Sequence, residues 1–190
     1  MYQVKEKWEN KLNLKKNKIG ILGGSFDPAH KGHLTISKEA TKRLKLKKII
    51  WAITKKNPFK KKSDTSIPTR IGNCKKIIGK YNFIKVKYYE EIIKSNKTIN
   101  LINYLKKNKK NEIYFLMGAD NLINFHKWHK WEKIFQKCII VVFDRHGYKK
   151  KSLNSTAFKR SNNKNLKFIK FNKVNISSSQ LRKIWYDLFN

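Results

Sequence analysis

Short apolar runs recur along this chain, with longer stretches of helical spacing between them, and that alternation constrains the fold more than any other feature. The spacing predicts strands over 18–24, 48–54, 83–88, 112–117, 138–143 and 166–171. Helices are predicted over 32–44, where Leu34, Ala40 and Leu44 take apolar positions, and over 69–80, opened by Pro68. Another follows over 98–105, with Ile99, Ile102 and Leu105 at helical spacing. A short one covers 131–135, and a last one begins near Ser177. The stretch from His146 to Asn165 reads as a basic loop. Strands alternating with helices imply an α/β domain with a mainly parallel sheet. In such a sheet a ligand sits beyond the carboxyl ends of the strands, where the strand order reverses.

Length and composition bound the rest. At 190 residues the chain is one domain with a short appendage: a basic extension over 1–17 and a single domain over 18–190. A domain of that size buries well over half of its unfolded surface and needs no staple. Cys74 and Cys138 form no CxxC pair, which points to a reduced compartment and no zinc site. Residues 1–17 lack the apolar segment of a secretory signal, and the longest apolar runs, 49–53 and 139–143, fall far short of the roughly 20 residues that span a bilayer. The expectation is a soluble, cytoplasmic protein with no membrane partner. Its formal charge is +34, from 46 Lys and Arg against 12 Asp and Glu. Such a field attracts polyanions. The lysines are spread through every segment, so the charge reads as background that suits an anionic substrate rather than as a specific nucleic-acid surface.

Between the first strand and the first helix lies Gly23-Gly-Ser-Phe-Asp-Pro-Ala-His-Lys-Gly-His33. Glycines let backbone approach an anion, and a helix N-terminus offers free N–H groups and the positive end of its dipole. His30 and His33 fall together at the mouth of that helix, where each can donate a hydrogen bond to a phosphate oxygen. A metal site built on this pair lacks a third ligand at suitable spacing. Ile176-Ser-Ser-Ser-Gln-Leu-Arg182 makes a second anion cradle, with hydroxyls and free N–H groups one turn from an arginine. Ser177 and Gln180 have the spacing of a capping box.

A third group is Met117-Gly-Ala-Asp120, directly after a strand, where a carboxylate can accept ribose hydroxyls. Trp128 follows in a segment too polar and basic for ordinary core, so its indole either packs locally or stacks on a flat ring. Trp131 reads as structural. His126 and His129 have HxxH spacing without carboxylate or cysteine company, which argues against a metal.

Read together, these segments resemble a known family. His30-Lys-Gly-His33 after Gly24-Ser-Phe-Asp-Pro28 is similar to the HxGH signature of the nucleotidyltransferase superfamily. The 176–182 segment resembles its ISSTxxR-type motif, with Ser179 at the threonine place, and Gly118, Asp120 and Trp128 resemble the GAD...W region of bacterial nicotinate-nucleotide adenylyltransferases. Asn57-Pro-Phe-Lys60, Arg70, Thr98 and the loop holding Arg145 match smaller features. The likeness covers 18 to 186. It departs at Leu101, where the second threonine of a YTxDTL stretch stands, and at Lys97, Phe59 and His146.

The resemblance implies a Rossmann-like three-layer α/β fold and transfer of the adenylyl group of ATP to nicotinate mononucleotide, in NAD biosynthesis. It implies His30 and His33 as catalytic residues. Gly23, Gly24, Ser25, Phe26, Ser177, Ser179 and Arg182 join them around ATP; Thr98, Gly118, Asp120, Trp128 and Arg145 hold the mononucleotide. Mg²⁺ comes with ATP, since no acidic cage is visible. A phosphate monoester is already largely dianionic near neutral pH, its second pKa being about 6, so no general base and no covalent intermediate are expected. Nicotinate against nicotinamide mononucleotide stays open at this level, as does a homo-oligomer.

Overall fold

A computed structural model describes residues 16–55, 65–161 and 165–170. The expected C-terminal helix with Ser177, Ser179 and Arg182, the Asn57 to Lys60 loop and residues 1–15 lie outside the described residues. The chain runs β1 (Asn17–Gly24), α1 (Lys31–Leu44), β2 (Lys48–Ile53), α2 (Ile67–Ile78), β3 (Ile84–Tyr88), α3 (Glu90–Ile93) and α4 (Thr98–Lys106). It continues as β4 (Asn111–Gly118), α5 (Ala119–Ile123), a 3-10 turn (Phe125–Lys127), α6 (Trp131–Lys137) and β5 (Ile139–Phe143). Then come α7 (Lys149–Leu153), α8 (Thr156–Arg160) and β6 (Leu166–Ile169).

The strands form one sheet in the order β3-β2-β1-β4-β5-β6, with every pair parallel. Chain order reverses between β1 and β4, so the crevice beyond their carboxyl ends is where this fold takes a ligand. The register levels that edge: Gly24 lies beside Ile53, and Gly118 beside Phe143. Both faces are covered, as a parallel sheet requires. On one face Ile19 and Ile21 pack with Ile102, Leu122, Phe125 and Ile134. On the other, Leu22 packs with Ala40, Trp51, Cys74 and Phe143. Each such side chain stabilises the fold by about 1.5–3 kcal/mol. Gly20 has no room for more: an added Cβ would lie 2.9 Å from Leu46 Cδ1 and 3.0 Å from Ile49 Cγ1.

The expected α/β, Rossmann-like three-layer class with a parallel sheet holds. Individual boundaries need correction. The second helix starts at Ile67, because the Ser66 side chain caps it from the Thr69 N–H, and it stops at Gly79, whose φ is +53°. β1 takes in Asn17 and β5 starts at Ile139, since the Cys138 N–H still bonds the Ile134 carbonyl of α6. The basic stretch after His146 is not a loop throughout. It folds into α7 and α8, the latter capped by Ser155, whose hydroxyl accepts from the Phe158 N–H. Ser152 and Ser155 are buried there, each hydroxyl donating to a carbonyl one turn back. The lysine run masked these caps.

Candidate active site

The loop leaving β1 is shaped by a packed aromatic. Phe26 is buried with φ of +50°, a left-handed backbone that costs a bulky residue about 1–3 kcal/mol and persists only where packing enforces it. Its ring stacks on Trp51 at 5.0 Å and touches His33 at 4.8 Å. The Trp51 indole N–H donates to Ser37 Oγ (2.8 Å), and Ser37 Oγ donates to the His33 carbonyl (2.9 Å). His33 is thereby fixed to the floor of the site through both ring and backbone.

The two histidines cap α1 reciprocally. The Gly32 N–H donates to His30 Nδ1 (3.1 Å), and the His30 N–H donates to His33 Nδ1 (3.2 Å). Serine and glutamate usually make such a box; here two imidazoles do, with ring centroids 3.9 Å apart. Because each Nδ1 accepts, the proton of the neutral ring belongs on Nε2, making that edge a donor.

A cavity of 690 Å³ opens at this edge of the sheet. One wall is Gly23, Gly24, Ser25, Phe26, His30, Gly32 and His33. Phe26 is too buried to present its ring, so it contributes backbone. The opposite wall holds Thr98, at the first turn of α4, with Gly118, Asp120, Asn121, Trp128 and Arg145. Every expected site residue within the described residues therefore lines one cavity. Asp120 Oδ2 and Arg145 Nη1 pair at 3.0 Å, and the guanidinium lies 5.6 Å from the Tyr148 ring. Gly118 leaves the space that the Asp120 carboxylate fills, for a Cβ there would collide with its Oδ1. Trp128 packs locally, its ring on Phe115 and Phe125 at 5.9 and 5.1 Å, and it also lines the cavity. Trp131 packs edge-on against Phe125 and Phe135, a structural residue as expected.

Comparison with known proteins fits this arrangement. The cytidylyltransferase-like family matches over residues 21–184. A probable nicotinate-nucleotide adenylyltransferase of Pelagibacter ubique is 69% identical over 176 residues, covering 93% of this chain and 98% of that protein. A protein of the same description from Agrobacterium fabrum is 37% identical, covering 73% and 74%. The chain belongs to the nicotinate-nucleotide adenylyltransferase family. Its fold is also that of the Plasmodium falciparum nicotinic acid mononucleotide adenylyltransferase, solved with NaAD: the TM-score is 0.74 at 22% identity, covering 88% of this chain and 83% of that one.

Within this adenylyltransferase two side chains matter that the motif reading left out of the site. Arg70, noted only as a match, is 2% exposed and donates through Nη1 to the Ser25 and Thr54 carbonyls, both at 2.8 Å. Glu90 lines the cavity, and its Oε2 accepts from the Lys55 N–H at 3.2 Å. Burial raises its carboxyl above the usual range, opposed by the Lys55 N–H, by a hydrogen bond from Tyr88 and by the Arg70 charge. No short motif marks Glu90; its available signal was rarity, since an acid is uncommon in a chain with 12 acids against 46 bases.

Metal ligation has little to build on. Among the described residues no three His, Cys, Asp or Glu side chains group to hold a metal ion, and of the cavity carboxylates Asp120 pairs with Arg145 while Glu90 and Asp144 each accept a backbone N–H. No helix among the described residues is long and apolar enough to cross a membrane.

Proposed function

We propose that this adenylyltransferase joins ATP to nicotinate mononucleotide, giving nicotinate adenine dinucleotide and pyrophosphate for NAD biosynthesis. The observation that carries the reading is the cavity itself. A donor-lined wall of two mutually capped histidines faces, across the β1–β4 switch point, a wall with an aromatic plane and a paired arginine.

An oxygen of the mononucleotide phosphate attacks the α-phosphorus of ATP. The bond from that phosphorus to the oxygen bridging towards the β-phosphate breaks, and its electrons leave with pyrophosphate. No proton has to be removed from the nucleophile. The work is to hold two polyanions in line and spread the developing charge. Gly23, Gly24, Ser25 and the Phe26 backbone receive ATP. His30 and His33 donate from Nε2 to its phosphates, with His33 nearest the reacting phosphorus. Ser177, Ser179 and Arg182 complete the β- and γ-phosphate cradle. Thr98, Gly118 and Asp120 seat the mononucleotide ribose, Trp128 covers the pyridine ring and Arg145 takes its phosphate. Mg²⁺ supplied with ATP would help neutralise charge on the leaving pyrophosphate, beside the donors from His30, His33 and Arg182. The single domain of 18–190 works in the cytoplasm, with residues 1–17 as a basic appendage.

The test follows pyrophosphate and dinucleotide formation from ATP, Mg²⁺ and either nicotinate or nicotinamide mononucleotide. Turnover with the acid form, lost in His33→Ala, is expected. Turnover with the amide alone corrects the acceptor, and no dinucleotide from either overturns the acceptor assignment. A radiolabelled adenylyl group retained on denatured protein would contradict direct transfer.

A further inference from the structure

We propose that Arg70 and Glu90 are positioning residues that grip one peptide unit from opposite sides, and that this unit sets the distance between the ATP wall and the acceptor wall. The inference rests on the adenylyl-transfer reading above. The unit is the peptide joining Thr54 to Lys55, just beyond β2. Its carbonyl accepts from Arg70 Nη1 at 2.8 Å, and its N–H donates to Glu90 Oε2 at 3.2 Å. The preceding N–H, of Thr54, donates to the Gly24 carbonyl at 2.9 Å.

Each grip continues into a different wall. On one side Arg70 Nη1 also donates to the Ser25 carbonyl, in the loop that leads to His30. On the other, the Glu90 carbonyl accepts from the Ser95 N–H at 3.1 Å. Ser95 Oγ then accepts from the Lys97 N–H at 3.1 Å and from Asn100 Nδ2 at 2.9 Å, which brackets Thr98 at the start of α4. An unbroken run of hydrogen bonds thus joins Ser25 to the turn carrying Thr98 and passes through one peptide plane.

The chemistry of the two side chains suits this task. Two carbonyls from separate segments converge on the one nitrogen Nη1, whose two N–H bonds are fixed in the guanidinium plane, whereas the N–H groups of an ammonium rotate on a flexible stem. A carboxylate in the wall of a cavity meant for phosphates works against binding unless it holds something else in place, and Glu90 holds a backbone N–H. Burial raises its carboxyl and the Arg70 charge opposes that rise, so the two side chains feel each other across the peptide they hold. In-line transfer depends steeply on the approach of the two reactants, and a shift of about 1 Å costs as much as about 100-fold. A strap between the walls therefore acts on kcat more than on the affinity of either substrate.

Full-length Glu90→Ala, Glu90→Gln, Arg70→Lys and the double variant Glu90→Ala/Arg70→Lys would be compared with wild type. The readouts are kcat, both KM values, affinity for a non-hydrolysable ATP analogue and hydrogen exchange read by mass spectrometry. Glu90→Ala is expected to lower kcat about tenfold or more while analogue affinity changes by less than about threefold. Glu90→Gln, which keeps an oxygen for the Lys55 N–H, recovers most of that loss. The double variant falls no further than the worse single one, because both grip the same peptide. Exchange rises in Glu90→Ala both in 23–30 and in 95–101, across the strap, and not in α6. Losses that multiply in the double variant, or an analogue affinity that falls in step with kcat, overturn the strap. Exchange that rises only beside Glu90 overturns it whatever the acceptor is. Failure of wild type to turn over either pyridine mononucleotide overturns the reaction assignment instead, and the exchange measurement still decides the strap.

Discussion

The two walls of the cavity are built by opposite strategies. The ATP wall is local: His30 and His33 cap each other three residues apart, and Ser37 ties its hydroxyl to the His33 carbonyl one helical turn back. The acceptor wall is assembled at long range. Arg145 reaches Asp120 across 25 residues, and Trp128, after the 3-10 turn, rests on Phe115 of β4. The histidine caps of the first wall form with α1 itself, while Trp51 of β2 and Arg70 of α2 brace the loop before it. The second requires β4, β5 and the short helices α5, α7 and α8 to be in place together. Damage to the first should appear in the chemical step, and damage to the second in acceptor binding.

The largest effect expected from that contrast is at His33. His33→Ala removes the donor proposed to face the phosphates and takes the capping partner from the His30 N–H. A loss in kcat of about 10²–10³-fold is expected, in the range seen when one preorganised transition-state donor is removed. Steady-state kinetics with nicotinate mononucleotide varied would show its KM nearly unchanged. A KM that rises as steeply as kcat falls would mean that the two walls are not separable.

A smaller effect, on the other wall, should follow from Gly118→Ala. The new methyl group meets the Asp120 carboxylate, which must turn and release Arg145. The expected result is a loss of about tenfold, or about 1.4 kcal/mol, in kcat/KM for the mononucleotide, with ATP-analogue affinity preserved. Calorimetry on the two ligands separately would check it. Equal losses for both would join the walls where the comparison divides them.

The same contrast explains what was legible beforehand. The strands and the His30–His33 turn could be read because they depend on periodicity and on residues close in sequence. Pro68 marked where α2 opens, though the Ser66 cap moved that start by two residues. The five-residue helices α5, α7 and α8 are too short to carry a periodic signal; isolated helices of that length do not form, and packing decides them. Trp128 looked too polar in its neighbourhood for core, yet its ring packs on core aromatics because Lys127 and His129 lie on the exposed side. The Arg70–Glu90 strap depends on positions 25, 54, 55, 70 and 90, and no spacing rule links those.

Trp128 tests the acceptor wall more gently. Trp128→Phe keeps an aromatic on Phe115 and Phe125 but shrinks the plane proposed to cover the pyridine ring. Aromatic pairing beyond area burial is worth about 0.5–1.5 kcal/mol, so acceptor affinity should fall by about two- to tenfold with little change in melting temperature. Fluorescence titration with nicotinate mononucleotide would measure it. An unchanged affinity with a lowered melting temperature would make this tryptophan a packing residue alone.

The smallest expected effects come from the two thiols, which report on the two faces separately. Cys74 lies on the buried face of α2, in the core shared with α1, and Cys138 ends α6, in the core shared with α4. Burial pushes both up to about 12 from an ordinary 9, opposed by the charges of Arg70 and Lys106 respectively. The folded chain therefore holds these protons where the unfolded chain has lost them. Stability is unaffected by the thiols below about pH 9 and declines as pH rises from there towards 12. At neutral pH neither thiol should react with an alkylating reagent faster than its region opens. Under mild denaturant Cys138 should be labelled first, because its face depends on the short helices that hold the acceptor wall. Mass spectrometry of the labelled peptides would show the order, and Cys74 reacting first would place the weaker packing under the histidines, reversing the comparison.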